Sequence, residues 1–223
     1  TLWDHAFVFP QSLKHVVVDV YAAQSAPIDV FLQPLASLSA LESLKVYTVV
    51  LAEPQASFPD FGKLWPHLTD LELSLASVTL AHTLLASIPT SQWRGLNLSI
   101  AENDPNRDGI FKGVKDGDWS HLKRLAMDFV DLMNHGEMLK SFHGLRELKV
   151  NGIPQGSSAW PQLLQVLTPQ THPKLGYVGC TQSNAPSWLP VVLPEEVLAA
   201  LRAFPRLHHL PGFTDSEQCR WNR

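Results

Sequence analysis

Six residues in the middle of the chain, Asp104-Pro105-Asn106-Arg107-Asp108-Gly109, match the D-x-N-x-D-G opening of a calcium-binding loop. Carboxylate and amide oxygens at alternate positions can wrap one hard cation. The match stops at the twelfth position, where a bidentate glutamate is needed and Lys115 stands. Pro105 at the second position is also foreign to such loops. The segment reads better as a polar surface loop, and no metal or other cofactor is assigned.

Other chemistry is thinner still. The histidines are scattered, and only His208 and His209 are adjacent. Neighbours on a strand point to opposite faces, so that pair does not make a metal site. The chain has no G-x-S-x-G, no H-E-x-x-H and no phosphate-binding loop. Nothing spaces Ser, His and Asp as a triad, and the expectation is that the chain is not an enzyme. Cys180 and Cys219 share no C-x-x-C or zinc spacing. A disulfide framework is not expected, and a reducing compartment, cytoplasmic or nuclear, is favoured. Cys180 falls on a strand core position, where a thiol packs as a small hydrophobe. Asn97-Leu98-Ser99 is a glycosylation sequon that matters only on a secretory route.

Charge narrows the partner class. The 17 basic and 21 acidic residues leave a net charge of −4, with no basic run, which argues against nucleic acid. No apolar run approaches the ~18 residues of a membrane span. The chain begins at Thr1 without a signal-peptide pattern and reads like a piece cut from a longer protein.

The elements that would position any site come from a repeat. In Leu68-Thr69-Asp70-Leu71-Glu72-Leu73-Ser74-Leu75-Ala76-Ser77-Val78, leucines hold the first, fourth and sixth places and an apolar residue returns at the eleventh. The phrase recurs, blurred, from Leu13, Leu41, Leu68, Trp93, Leu122, Leu145, Leu175 and Leu207. Its fourth and sixth places are Val16/Val18, Leu44/Val46, Leu71/Leu73, Leu96/Leu98, Leu125/Met127 and Leu148/Val150. The last two copies are poorer, with Val178/Cys180 and with Leu210 followed by Gly212. Three residues before the first leucine stands a large apolar group, as in Leu38, Trp65, Trp119, Phe142 and Phe204. Proline often follows it, which suits a chain leaving a helical return for the next strand.

Between strands the period becomes helical. Stripes run through Ile28, Phe31, Leu32, Leu35 and Leu38 (with Pro34 expected to split them), through Leu80, Leu84, Leu85 and Ile88, and through Trp160, Leu163, Leu164 and Leu167. Pro194-Glu195-Glu196 opens a fourth helix with Val197, Leu198 and Leu201 inward. Pro54 to Lys63 and Glu102 to Asp118 carry no clean helix and are expected to be irregular or short 3₁₀ segments. One strand–return unit cannot bury its own apolar face, whereas stacked units share a core. The expected fold is therefore an α/β solenoid forming a single domain over residues 1–223. Its curved parallel sheet of about eight strands has helices and irregular segments on the convex side.

The eleven-residue phrases at Leu41–Leu51, Leu68–Val78 and Leu122–Leu132 resemble the leucine-rich repeat superfamily, whose β-α superhelix is right-handed. Their long spacing resembles the ribonuclease-inhibitor-like branch. The Trp65-Pro66-His67-Leu68 and Phe204-Pro205-Arg206-Leu207 phrases resemble the irregular repeats of fungal F-box leucine-rich proteins. The resemblance spans about Leu13 to Leu210 and implies an interaction domain, the substrate-recognition part of an F-box-type ubiquitin-ligase adaptor. Two features depart from the family. The ninth-position asparagine or cysteine is replaced by Val49, Ala76, Ala101 and Val130, and no F-box helices are visible. An enzyme or enzyme regulator with a site in Glu102–Asp118 and a secreted receptor ectodomain are the alternative classes.

The repeat register selects the candidate site. Alternate strand residues face outward on the concave side: Asp70, Glu72 and Ser74 on one strand, small Gly95, Asn97 and Ser99 on the next, then Arg124, Ala126 and Asp128. Lys45 is expected beside Glu72, and Arg124 beside Glu147. Tyr47 is the aromatic anchor expected to be exposed. A protein partner is thus expected at Tyr47, Asp70, Glu72, Asn97, Ser99, Arg124 and Asp128.

Overall fold

The computed structural model describes residues 9–20, 32–48, 60–76, 78–100, 117–153, 159–182, 191–192, 195–208 and 213–214. The chain divides into two compact units, Thr1–Gly117 and Asp118–Arg223. The calcium-like loop, Cys219, Leu210 and the stripe residues Ile28 and Phe31 lie outside the described residues.

The N-terminal unit holds four parallel strands in sequence order: β1 (His15–Val20), β2 (Ser43–Thr48), β3 (Asp70–Ala76) and β4 (Gly95–Ile100). Their alternation follows the repeat. Leu44, Val46, Leu71, Leu73, Leu96 and Leu98 are buried, while residues between them reach the other face. Each fully buried leucine contributes roughly 1.5–3 kcal/mol of transfer free energy. Register pairs Leu44 with Leu71 and Leu71 with Leu96, so the buried residues form continuous rows. The returns include a 3₁₀ turn at Gln33–Ser37, α1 (Phe61–Leu64) and α2 (Val78–Ser87). Pro34 sits in the first turn of the 3₁₀ segment, where its missing N–H costs nothing. Helix α2 buries Leu80, Leu84 and Leu85 as its stripe requires. Where an irregular path was expected, α1 makes one helical turn. Gly62 allows it, because a Cβ there would stand 2.2 Å from the Ser87 carbonyl oxygen.

The C-terminal unit holds three parallel strands, β5 (Arg124–Asp128), β6 (Glu147–Ile153) and β7 (Tyr177–Gln182). A separate short pair joins β8 (Val191–Val192) to β9 (Phe213–Thr214). Leu125, Met127, Leu148 and Val150 are buried in rows like those of the first unit. Helices α4 (Ala159–Val166) and α5 (Glu195–Arg202) occupy two of the expected stripes. Sequence reading did not anticipate α3 (Phe129–His135), which continues into a 3₁₀ segment at Gly136–Ser141. Its buried Phe129, Leu132 and Leu139 follow helical steps, and Val130 beside them is 53% exposed.

Two sets of backbone bonds fix where each strand begins. First, the N–H of the leading leucine closes a turn onto the residue three places back: Leu41 onto Leu38 (3.0 Å), Leu68 onto Trp65 (3.1 Å), Leu122 onto Trp119 (3.0 Å) and Leu145 onto Phe142 (2.9 Å). Those earlier residues are all buried. Second, the carbonyl just after the leading leucine accepts two N–H groups from the following repeat. Lys14 O accepts from Glu42 and Ser43 (2.8 and 2.9 Å), and Glu42 O from Thr69 and Asp70 (2.9 and 3.1 Å). In the other unit Lys123 O accepts from Arg146 and Glu147 (2.8 and 3.0 Å), and Arg146 O from Gly176 and Tyr177 (2.9 and 3.1 Å). Gly176 O accepts from His208 at 3.1 Å, which sets the start of the next repeat beside β7.

A third set uses ring nitrogens. Trp65 Nε1 donates to Leu35 O at 2.9 Å, and His172 Nε2 lies 2.7 Å from Leu139 O. Both rings stand three residues before a leading leucine, and both reach the carbonyl six residues before the previous repeat's leading leucine (Leu35 before Leu41, Leu139 before Leu145).

Candidate partner-binding face

In the N-terminal unit the outward residues form three rows across the strands. The register gives His15–Ser43–Asp70–Gly95, then Val17–Lys45–Glu72–Asn97, then Asp19–Tyr47–Ser74–Ser99. Glu72 is the hub. Lys45 Nζ lies 2.8 Å from one carboxylate oxygen, as the register predicted, and Tyr47 Oη donates to the other at 2.8 Å. Asn97 stands beside Glu72 in register on β4, and its side chain favours the ionised carboxyl. Partial burial pushes the Glu72 pKa up, but the Lys45, Tyr47 and Asn97 side chains together outweigh it and hold the carboxyl below its ordinary value. The bond to Glu72, followed by burial, raises the Tyr47 phenol above its ordinary value.

A carboxylate surrounded by donors and held ionised is a poor proton acceptor, and a phenol with a raised pKa is a poor nucleophile. The bonds fix three side chains from two strands in one geometry, which lowers the ordering cost of binding something against them. Tyr47 is thus not the free anchor expected from the sequence: it is half-buried and bound at its hydroxyl. Asp70 accepts the Thr69 hydroxyl at 2.9 Å in the row below, and Ser99 neighbours Ser74 in the row above. Val17, 60% exposed, lies in the Glu72 row at the β1 edge and adds an apolar contact the sequence reading did not select.

In the C-terminal unit the outward rows are Arg124–Glu147–Tyr177, Ala126–Lys149–Gly179 and Asp128–Asn151. Arg124 and Glu147 are register neighbours, as expected, and both are exposed. Asp128 is half-buried beside Asn151. Tyr177 lies across Gly179, where a Cβ would meet the phenol oxygen at 2.9 Å. Lys149 Nζ stands 5.9 Å from the Tyr177 ring centroid, within cation–π range. Sequence reasoning missed this Lys149–Tyr177–Gly179 platform. Its signal was a tyrosine two residues before a glycine on one strand face. Cys180, partly exposed on the opposite side of β7, has its thiol pushed up to about 12 by burial, so it is no nucleophile at neutral pH.

Of the seven residues selected from sequence, the structure therefore bonds Tyr47 to Glu72 and places Asn97 beside Glu72 in register. Asp70 and Ser99 lie in the rows flanking it, and Arg124 and Asp128 lie on the sheet of the other unit. Among the described residues, no group of three His, Cys, Asp or Glu side chains is placed to hold a metal ion. Among the same residues no helix is long and apolar enough to cross a membrane. No protein-family model matches this sequence, and no curated protein matches it.

Proposed function

We propose that the chain is a leucine-rich-repeat-type interaction domain, without catalytic activity, that binds another protein on the outward face of its parallel strands. The Glu72 network carries this reading. Three polar side chains from two successive strands are bonded together, with Asn97 of the next strand beside them, on a face whose opposite side carries the buried leucine rows. Such a surface offers orientation and specificity more than reactivity. Resemblance of the Trp-Pro and Phe-Pro phrases to fungal F-box proteins extends the proposal to substrate recognition for ubiquitin ligation in the cytoplasm or nucleus.

Affinity capture with the full chain identifies the partner, and Asn97→Trp then tests the face. A tryptophan at that position fills the surface beside Glu72 without entering the core. The expected result is loss of the captured partner with the thermal midpoint held near the parent value. A folded Asn97→Trp chain that binds with unchanged affinity overturns the assignment of this face.

A further inference from the structure

The edge where the strands begin carries more exposed cations in the C-terminal unit than in the N-terminal one. In the N-terminal unit the cation after the first leading leucine is neutralised: Lys14 Nζ lies 2.7 Å from Glu42 Oε1. Along the same edge of the C-terminal unit the side chains flanking the leading leucines are His121, Lys123, Arg146, Lys174, Arg206 and His208, all exposed. Lys174 and Arg206 hold equivalent places in neighbouring repeats, because the His208 N–H bonds Gly176 O. Strands are spaced ~4.8 Å apart, and like charges so placed repel.

A pocket of about 670 Å³ opens on this edge, lined by Arg146, Glu147, Lys174, Gly176, Tyr177, Arg206 and His208. Three basic side chains and one carboxylate line it. Among the described residues, no ion pair ties Arg146, Lys174 or Arg206 to an acid. Gly176 forms the floor, and its lack of a side chain lets the His208 ring close in: a Cβ there would meet His208 Cε1 at 3.0 Å. The ring is held by Nδ1–H donating to Arg206 O at 2.7 Å. The site is therefore built, cationic and open to solvent.

We infer that this edge docks an acidic segment of a protein partner, with one of its carboxylates seated between Arg146, Lys174 and Arg206. Paired guanidinium groups take a carboxylate in a bidentate manner, and the neighbouring cations extend the same preference along the edge. An open pocket cannot enclose a free small molecule as typical ligand sites do, so a group protruding from a larger ligand suits it better. The protein's net charge of −4 works against long polyanions such as nucleic acid, leaving the attraction local to this edge. The inference rests on the reading of the chain as a protein-binding module, and it concerns a surface apart from the Glu72 network.

Fluorescence anisotropy with the full chain and a short labelled Glu/Asp peptide tests it, alongside a labelled single-stranded oligonucleotide of equal charge. Arg146→Glu/Arg206→Glu is compared with Lys63→Glu/Lys140→Glu, which makes the same charge change at exposed helical sites. The expected result is peptide binding that weakens with salt and falls at least about tenfold in the first variant only, with both variants keeping the parent thermal midpoint. Equal weakening in both variants, no peptide binding by the parent, or tighter binding of the oligonucleotide each overturns the proposal. Should Arg146→Glu/Arg206→Glu unfold, Arg146→Gln/Arg206→Gln replaces it, with the same outcomes deciding. Because the probe is a defined peptide, its failure leaves the Asn97→Trp result on the captured partner intact, and the two readings fail separately.

Discussion

Trp65 and His172 occupy the same place in two repeats, one in each unit, and solve the same problem with different chemistry. Each is buried three residues before a leading leucine, and each brings a ring nitrogen to the carbonyl six residues before the previous repeat's leading leucine. That carbonyl already accepts one backbone N–H, from Leu38 at Leu35 and from Phe142 at Leu139. The ring N–H fills its second lone pair. Trp65 does this permanently and also stacks on Phe61, with ring centroids 4.6 Å apart. His172 does it with a ring that titrates at its other nitrogen. A carbonyl only accepts, so Nε2 carries the proton, and the neutral ring accepts the Thr171 hydroxyl at Nδ1 over 2.7 Å. The comparison teaches that the position demands a ring donor and that only one of the two rings titrates.

The largest expected effect comes from removing the permanent donor. Trp65→Ala empties a fully buried site, loses the Phe61 stack and should cost ~3–5 kcal/mol in urea unfolding. A cost below that of a surface substitution would show that the repeats do not rely on this ring.

A finer test isolates the N–H. Trp93 is also fully buried, but it stands at a leading-leucine position, and among the described residues its Nε1 has no partner. Trp65→Phe and Trp93→Phe remove the same atoms, yet only the first deletes a hydrogen bond. The first should therefore cost about 1 kcal/mol more than the second, the usual net value of one bond. Equal costs in parallel denaturation curves would remove the bond from the comparison.

The titrating ring predicts a pH dependence. Burial lowers the His172 pKa below its ordinary 6.5, and repulsion from nearby His143 lowers it further, although the bond to Leu139 O opposes both. The unfolded chain then binds a proton that the folded chain refuses, so stability rises with pH across that window. The contribution is fully present above about 6.5 and is lost as pH falls from there to the folded pKa. His172→Gln keeps a donor that does not titrate. Its unfolding free energy, measured from pH 7.5 down to 4.5, should fall less steeply than the parent's. Identical slopes would assign the acid sensitivity to other groups.

The smallest effect belongs to the face, where solvent competes. A Lys45→Met/Glu72→Gln double-mutant cycle should give a coupling of at most ~1 kcal/mol, reduced by salt, because both side chains are partly exposed. A coupling of several kcal/mol would make the network a stabilising core element and weaken its reading as a recognition surface.

Strand register was legible in the chain because its period is strict. Leu71 and Leu73 point inward together, and that alone fixes Lys45 beside Glu72. The Tyr47 tether was not legible, because an outward tyrosine reads as exposed until its neighbour's carboxylate is placed in three dimensions. Helix α3 was masked by the repeat phrase itself: Leu132 satisfied both the eleventh-position rule and a helical step from Phe129. His172 was available to the arithmetic that found Trp65 and Phe142, yet a histidine does not announce itself in a search for large apolar groups. The cationic edge escaped for another reason. Its residues are scattered from His121 to His208 in the chain and meet only through the bonds that align the strand starts.

Those alignment bonds also bear on how such a chain tolerates change. Leading leucines are 25 to 28 residues apart in the N-terminal unit (Leu13, Leu41, Leu68, Trp93) and 23 to 32 in the other (Leu122, Leu145, Leu175, Leu207). Yet in both units two N–H groups grip one carbonyl at the same offset. Each strand is thus anchored at its own first residue and not by the length of the path leading to it. Doubling a flexible return costs only ~0.6 kcal/mol in closure entropy. Insertions and deletions between repeats can therefore accumulate as independent events, leaving the rows of the face in step while the connecting paths drift in length.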